Sequence, residues 1–365
     1  MKLALVHDWL NQRGGAEDVL DVLHALYPTS PIYTSIYDPD AMPSTYRDRD
    51  IRTLWIDRLP MIHNHHQPYL PFYPLAWGGL DLSDYDVVLS NKSGFCHGLN
   101  VGDKTTHVCY CLAPTRYVWQ PDAYLAREGL GSVVKGALKP LIALLRNWDY
   151  RAAQRVDHFV AISKEIQERI KTYYQRDSTI IYPPVDTHRF QPSNVIEDYY
   201  LIVSRLIPYK RIDLAIQAAN QLGFPLKIAG RGRDLEHLQA MAGPTVEFLG
   251  YVPDADLPDL MARAKAFIFP GLEDFGITPV QSQAAGRPVI AYQGGGSLDT
   301  VITGKTGVLF PELRVESLVK AIQEFETMSF DVATMRTNAE RFTNEIFTEQ
   351  ITKTVEKAWN TKQYS

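Results

Sequence analysis

Two segments in the second half of the chain carry residue types suited to holding a phosphorylated ligand. They are Ser204-Arg205-Leu206-Ile207-Pro208-Tyr209-Lys210-Arg211 and Glu273-Asp274-Phe275-Gly276-Ile277-Thr278-Pro279-Val280-Gln281. The first follows an apolar, strand-like run and sets Arg205 and Lys210 where a strand hands over to a helix. The second places Glu273 just before another helix start. The first turn of a helix exposes unpaired N–H groups and a positive dipole end, which suit phosphate and hydroxyl oxygens. Pro279 fits an early helical position, which leaves the backbone of Phe275, Gly276 and Ile277 to donate to a ligand. Arginine makes a forked contact with phosphate and lysine a point-charge contact. Each charge-assisted bond contributes roughly 1.5–3 kcal/mol, so the two cations can hold a diphosphate and stabilise it as it leaves. Together the two segments read as a clamp for a sugar attached to a diphosphate.

The elements that must position this clamp alternate between strand and helix in both halves. Apolar runs at Leu3–Val6, Val87–Leu89, Val108–Cys111 and Phe159–Ile162 read as buried parallel strands of the first half. Tyr200–Val203, Leu226–Ala229, Val246–Leu249, Ala266–Phe269 and Val289–Ala291 read as strands of the second. Ala16, Val19, Leu20 and Leu23 form a helical stripe after Gly14-Gly15, and Ile212, Ala215, Ile216 and Ala219 form another after the first cation segment. Repeated strand–helix units predict doubly wound sheets, with ligands beyond the strand carboxyl ends. Pro183, Pro184 and Pro192 punctuate the stretch between the halves. A last helix carries Phe347, Ile351, Val355 and Trp359 on one side.

Composition narrows the class. A length of 365 residues favours two domains, each able to bury its own core, and 45% hydrophobic with 22% charged content is ordinary for a globular chain. The net charge of −5 argues against a general nucleic-acid binder. Cys96, Cys109 and Cys111 lack Cys-x-x-Cys spacing, and a reducing compartment suits them best. Met1–His7 is too short for a signal-peptide apolar region, and no run approaches the roughly 20 apolar residues of a membrane span. The expected location is the cytoplasm. Asp38/Asp40, Asp48/Asp50 and Asp254/Asp256 sit in polar, proline-bearing stretches and read as turns or caps. His63, His65 and His66 have no matching ligand set elsewhere, so neither a catalytic metal nor a cofactor is expected. Gly230-Arg231-Gly232 lacks the third glycine of a dinucleotide fingerprint and reads as a turn beside the clamp.

The order of these motifs resembles the family-4 glycosyltransferases. That family's signature is a Glu, seven residues, then a second Glu, preceded by an Arg and a Lys that grip the donor diphosphate. Here Glu273 is the first Glu and Gln281 replaces the second. Gly14-Gly15, Tyr182-Pro183-Pro184-Val185-Asp186 and Gly294-Gly295-Gly296 extend the similarity over nearly the whole chain. The resemblance implies an α/β fold of glycosyltransferase-B architecture, two doubly wound Rossmann-like domains facing a central cleft. Residues 1–185 would form an acceptor-side domain, 186–344 the nucleotide-sugar domain, and 345–365 a helix crossing back to the first. Such a helix packing on its own domain is the alternative. The implied reaction is retaining transfer by front-face displacement, in which a leaving diphosphate oxygen takes the proton of the incoming hydroxyl. Arg205 and Lys210 would act on the departing phosphate, Glu273 on sugar hydroxyls and Gln281 on the ribose. Gly14, Gly15, Phe275, Gly276, Ile277 and Tyr251 join the expected donor-binding set. Gly14-Gly15 as an ordinary turn into a helix is the alternative there.

Two departures from the pattern stand out. An amide at 281 offers one acceptor and one donor where a carboxylate accepts two ribose hydroxyls. Leu112, in Cys109-Tyr110-Cys111-Leu112-Ala113-Pro114, stands where relatives often carry His. That leaves His97 as the first-domain catalytic candidate, with a buried structural histidine as the alternative. Residues 110–119 and 273–289 look most like bacterial mannosyltransferases of surface-polysaccharide assembly, which implies GDP-mannose as donor and a glycan or lipid-linked acceptor. A UDP-sugar is the rival donor; a non-catalytic sugar-nucleotide-binding scaffold and a sugar-nucleotide epimerase are rival classes. The stretch 133–155 mixes Leu138, Leu141, Ile142, Leu144, Leu145 and Trp148 with Lys135, Lys139, Arg146, Arg151 and Arg155. Peripheral contact with an anionic membrane and core packing with a basic edge both fit that pattern.

Overall fold

The computed structural model describes residues 1–121 and 132–363, and within 132–137 the backbone only. The chain divides into two units. The first comprises Met1–Tyr182 with the chain from Phe347 onward, and the second Pro183–Ile346, so each boundary lies two or three residues from the expected 185 and 344.

The first unit is a seven-stranded sheet: β1 Leu3–His7, β2 Ile32–Thr34, β3 Ile51–Thr53, β4 Val87–Lys92, β5 Thr106–Cys111, β6 His158–Ala161 and β7 Ser178–Ile180. All pairs are parallel, in the order β3-β2-β1-β4-β5-β6-β7. The order turns back between β1 and β4, where Leu3 pairs with Val87 and His7 with Asn91. Open sheets of this kind bind ligands at the carboxyl ends beside such a point. A helix at Gly15–Leu26 follows β1 and buries Val19, Leu20 and Leu23, together with Glu17. The core on one face of the sheet gathers Val6, Trp9, Tyr73, Trp77, Val88 and Phe95. The last helix, Asn344–Gln363, buries Phe347, Ile351 and Val355. Phe347 meets Tyr110 edge-on at 5.5 Å, and Lys362 reaches the Thr105 carbonyl at 2.8 Å and the Asp157 carboxylate at 2.7 Å.

The second unit is a six-stranded parallel sheet: β8 Tyr200–Val203, β9 Leu226–Ala229, β10 Val246–Gly250, β11 Ala266–Phe269, β12 Val289–Tyr292 and β13 Gly307–Phe310, in the order β10-β9-β8-β11-β12-β13. Its reversal point lies between β8 and β11. The helix Ile212–Leu222 lays Ile212, Ala215, Ile216 and Ala219 on Ile202, Ile228 and Ile268. The stripe is small and apolar because the helix lies close against strands buried on both faces.

β2, β3, β7 and β13 are additional to the strands expected. The first three span three residues each and carry no apolar run; their partners in the sheet, rather than their own pattern, make them strands.

Candidate functional site

In the second unit the loops leaving β8, β9, β11 and β12 interlock through glycines at the carboxyl edge. A Cβ on Gly230 would stand 1.8 Å from the Ser204 carbonyl oxygen, and one on Gly232 2.1 Å from that of Leu206. One on Gly271 would press the Lys210 Cα at 2.9 Å. On Gly295 and Gly296 it would overlap the Glu273 and Phe275 carbonyl oxygens at 2.1 and 2.0 Å, and Gly296 N–H donates to the Glu273 carbonyl at 2.9 Å. Backbone thus rests on backbone, which fixes where Lys210 and Glu273 leave the chain.

Those two side chains meet. Lys210 Nζ forms an ion pair with Glu273 Oε1, the side chains being 13% and 19% exposed, and Lys210 lies 5.4 Å over the Tyr209 ring. Arg205 stands exposed in the loop after β8, and its side chain has no hydrogen bond or ion pair among the described residues. Gly276 precedes the helix Ile277–Ala284 with φ of 95°, a left-handed conformation costly for any residue with a Cβ. The Phe275 side chain turns inward against Phe342, centroids 5.5 Å apart, so only its backbone can face a ligand. Ile277 and Gln281 are half-buried on the same helix.

Behind this helix Gln283 is fully buried: Nε2 donates to the Thr300 carbonyl at 2.9 Å and Oε1 accepts from Asn338 at 2.6 Å. Arg211, one residue past Lys210, adopts φ of 54° and holds Asp213 through both guanidinium arms, at 3.1 and 3.0 Å. At the far side of the edge Tyr251 is 60% exposed, with the Arg231 guanidinium 5.5 Å from its ring centre. Sequence spacing places Arg231 only in a turn; its cue is an exposed aromatic at the end of the neighbouring strand, which that spacing does not reveal.

In the first unit the carboxyl ends of β1 and β4 are tied by Asp8. Fully buried, its carboxylate accepts backbone N–H bonds from Ser93, Gly94, Phe95 and Cys96 at 2.6–2.8 Å. A Cβ on Gly94 would lie 2.9 Å from that carboxylate. The turn so held carries His97, and here the catalytic expectation is corrected. His97 is fully buried, with Nε2 on the Asp149 carbonyl at 3.3 Å and its ring packed by Trp148 and Tyr174. Burial, aided by the charge of Lys92, holds its pKa well below the usual imidazole range. It occupies the structural position that was the alternative.

Lys92 and Asp149 are also fully buried. Lys92 Nζ donates to the Ala113 carbonyl at 3.0 Å and to Thr115 Oγ1 at 3.2 Å. Asp149 accepts from Thr115, Trp119 and Tyr174 at 2.6–2.9 Å. This network fastens the segment 113–119 beyond β5. Gly14 lies in extended backbone, φ −171°, at the mouth of the helix Gly15–Leu26, where any residue type is sterically allowed.

The remaining sequence candidates are dispersed. His63 pairs with Asp57 at 2.9 Å, while His66 stacks on Trp9 with centroids 5.1 Å apart. Among the described residues no three His, Cys, Asp or Glu gather as ion ligands. Asp40 N–H donates to Asp38 in a turn at 3.1 Å. In the helix Ser132–Gln154, Leu141, Ile142, Leu145 and Trp148 join the first unit's core; Arg146 donates twice to the Val118 carbonyl, at 2.9 and 2.7 Å. Leu144, Lys139 and Arg151 face solvent, and the side chains of 133–137 lie outside the described residues. No helix among the described residues is long and apolar enough to cross a membrane.

The chain matches two family models, "Glycosyltransferase Family 4" over residues 14–189 and "Glycosyl transferases group 1" over 186–342. It is 33% identical over 170 residues to a GDP-mannose-dependent alpha-(1-6)-phosphatidylinositol monomannoside mannosyltransferase of Mycolicibacterium smegmatis, covering 38% of this chain and 44% of that protein. It is 24% identical over 241 residues to an alpha-1,3/1,6-mannosyltransferase of Dictyostelium discoideum, covering 53% and 57%. The chain therefore spans about half the length of the curated relatives it matches. Among solved structures, Anabaena HepE in complex with UDP superposes with a TM-score of 0.73 at 18% identity, over 98% of this chain and 100% of that one.

Proposed function

We propose, from the premise that this chain belongs to glycosyltransferase family 4 and has its glycosyltransferase-B fold, that it transfers a sugar from a nucleoside diphosphate to a hydroxyl of a glycan or lipid-linked acceptor. The observation that carries the reading is the Lys210–Glu273 pair, with the exposed Arg205 in the same loop after β8 as Lys210, held at the carboxyl edge of the second sheet by glycine contacts to neighbouring backbone. A diphosphate competes with Glu273 for Lys210 and gains Arg205 at the same time. Glu273, relieved of its partner, is then placed to accept hydrogen bonds from sugar hydroxyls, and the amide of Gln281 meets the ribose.

In the proposed retaining step the acceptor oxygen forms a bond to the anomeric carbon on the face from which the C–O bond to phosphate breaks. The acceptor proton passes to the departing phosphate oxygen, and Arg205 and Lys210 take up the negative charge that develops there. The residues that do this chemistry are positioners and counter-charges, and the step as drawn calls on no metal or cofactor.

Mannose from GDP is the donor we favour, because the mannosyltransferase relatives share sequence with this chain and because Arg231 suits guanine. An arginine fork can bond guanine O6 and N7 together, whereas uracil presents a single O4 on that edge; Tyr251 supplies a ring for the base to stack on. Replacing Arg231 by Gln is expected to weaken GDP roughly tenfold to a hundredfold and to leave UDP nearly unchanged. Titration calorimetry with both nucleotides measures this, and equal losses for the two would remove Arg231 from base reading.

Three free, buried cysteines suit a reducing compartment, and we place the reaction in the cytoplasm. Any contact with an anionic membrane through 133–155 would use Lys139, Leu144 and Arg151. The reading as a whole is tested by incubating the protein with GDP-mannose and, separately, UDP-glucose, and following nucleotide release. Release from GDP-mannose is expected; binding of either nucleotide sugar without any turnover would favour a scaffold instead.

A further inference from the structure

Glu17 is a charged residue type in the middle of an apolar stripe, three residues before Leu20 and in the first turn of the helix Gly15–Leu26. It is 4% exposed. Its Oε1 meets His7 Nε2 at 3.1 Å. The other side of that imidazole is defined by Asn91, whose Nδ2 donates to the Ala16 carbonyl at 2.8 Å and lies 3.2 Å from His7 Nδ1. A carbonyl oxygen can only accept, so the amide nitrogen faces this way, and His7 Nδ1 is the acceptor. The ring proton therefore sits on Nε2 and is donated to Glu17. The pairing of His7 with Asn91 across β1 and β4 brings these groups side by side at the sheet's reversal point.

The second carboxylate oxygen is used by nothing. Glu17 Oε2 has no hydrogen-bond partner among the described residues, and a Cβ built on Gly14 would stand 3.5 Å from it. That is ordinary van der Waals distance, and Gly14 has a backbone conformation open to any residue. Nothing in the protein itself requires glycine there. What glycine preserves is a path to an acceptor oxygen that no group among the described residues uses and that stays open to a donor arriving from outside. A diphosphate would meet like charge at this carboxylate, with Asp18 and Asp21 on the same helix. A hydroxyl would donate to it.

We propose that Glu17 Oε2 is the binding group for a carbohydrate hydroxyl that passes over Gly14, with His7 and Asn91 as the residues that aim it. This rests on the glycosyltransferase reading and gives the first unit a sugar-binding carboxylate of its own. The hydroxyl belongs either to the donor sugar or to the acceptor, and the two sources separate experimentally.

The test compares wild type with Glu17→Gln, which keeps the shape but not the charge, and with Glu17→Asp, which keeps the charge but withdraws it from the path beside Gly14. Binding of GDP and of GDP-mannose, release of GDP in water, and transfer to methyl α-D-mannopyranoside are measured, with thermal melting as the check on folding. If the hydroxyl is the donor's, both variants lose at least tenfold in GDP-mannose affinity while GDP binds as before. If it is the acceptor's, both keep donor binding and hydrolysis but show a mannoside KM raised at least tenfold. Wild-type behaviour in both variants, or equal losses for GDP and GDP-mannose, overturns the proposal. Absence of nucleotide-sugar turnover in the wild type defeats it together with the functional reading; wild-type turnover with unaltered variants defeats it alone.

Discussion

Replacing Arg205 by alanine is expected to lower kcat/KM for sugar transfer by about two to three orders of magnitude, the scale on which a preorganised group opposite developing charge acts. The side chain is exposed and bonded to nothing among the described residues, so its removal should leave stability within about 0.5 kcal/mol of wild type. Lys210→Ala should show a kinetic loss of the same size by a different route. It removes a cation and also leaves the Glu273 carboxylate, 19% exposed, without its partner. A carboxylate freed in that way repels the diphosphate that Lys210 would have held. Kinetic losses of similar size, with a melting temperature near normal in Arg205→Ala and lower in Lys210→Ala, are the pattern to look for in steady-state kinetics and thermal melts. Near-normal turnover in both variants would reject the assigned roles.

The second large effect lies in the first unit and concerns stability. Asp8→Ala removes the acceptor of four backbone N–H groups, those of residues 93–96, at a residue with no exposed surface. Each buried donor left unsatisfied costs about 1–3 kcal/mol, so the variant should lose about 4 kcal/mol or more. For a domain of this size that corresponds to a fall of about 8–16 °C in Tm. The second unit has its own core, so its transition should be spared. A differential scanning experiment that resolves the two units measures both; a fall below about 3 °C would mean that other groups or water replace the carboxylate.

Most of the long strands could be read from the sequence because parallel strands covered on both faces must be continuously apolar. Tyr200–Val203, Ala266–Phe269 and Val289–Ala291 are of that kind. Ser178–Ile180 could not be read, since an edge strand of three residues owes its conformation to β6 rather than to its own side chains. In the site, Arg205, Lys210 and Glu273 were legible because cations and a carboxylate at strand-to-helix junctions have a chemical meaning before any coordinates exist. The Gly294-Gly295-Gly296 run was visible as a motif, but its mechanical use, seating one loop on another, was not. That depends on Gly295 and Gly296 meeting residues more than twenty positions earlier in the chain.

His97 shows the converse limit. Its immediate neighbours in sequence, Cys96 and Gly98, are small, and nothing there signals the rings of Trp148 and Tyr174 that enclose it. Asp8 and Glu17 were passed over for the opposite reason: acids beside a glycine-rich turn look like surface residues. A better signal was available for Glu17, which falls on the buried face three residues from Leu20, where an exposed acid has no place. For Asp8 the signal is the burial of the strand it ends.

The most direct measurement is a crystal structure of the protein with GDP bound. The account predicts both phosphates within about 3 Å of the Arg205 guanidinium and Lys210 Nζ, the hydrogen-bond range for charged groups, with Glu273 turned from Lys210 toward the space the sugar would fill. A diphosphate bound elsewhere, with the Lys210–Glu273 pair intact, would contradict it.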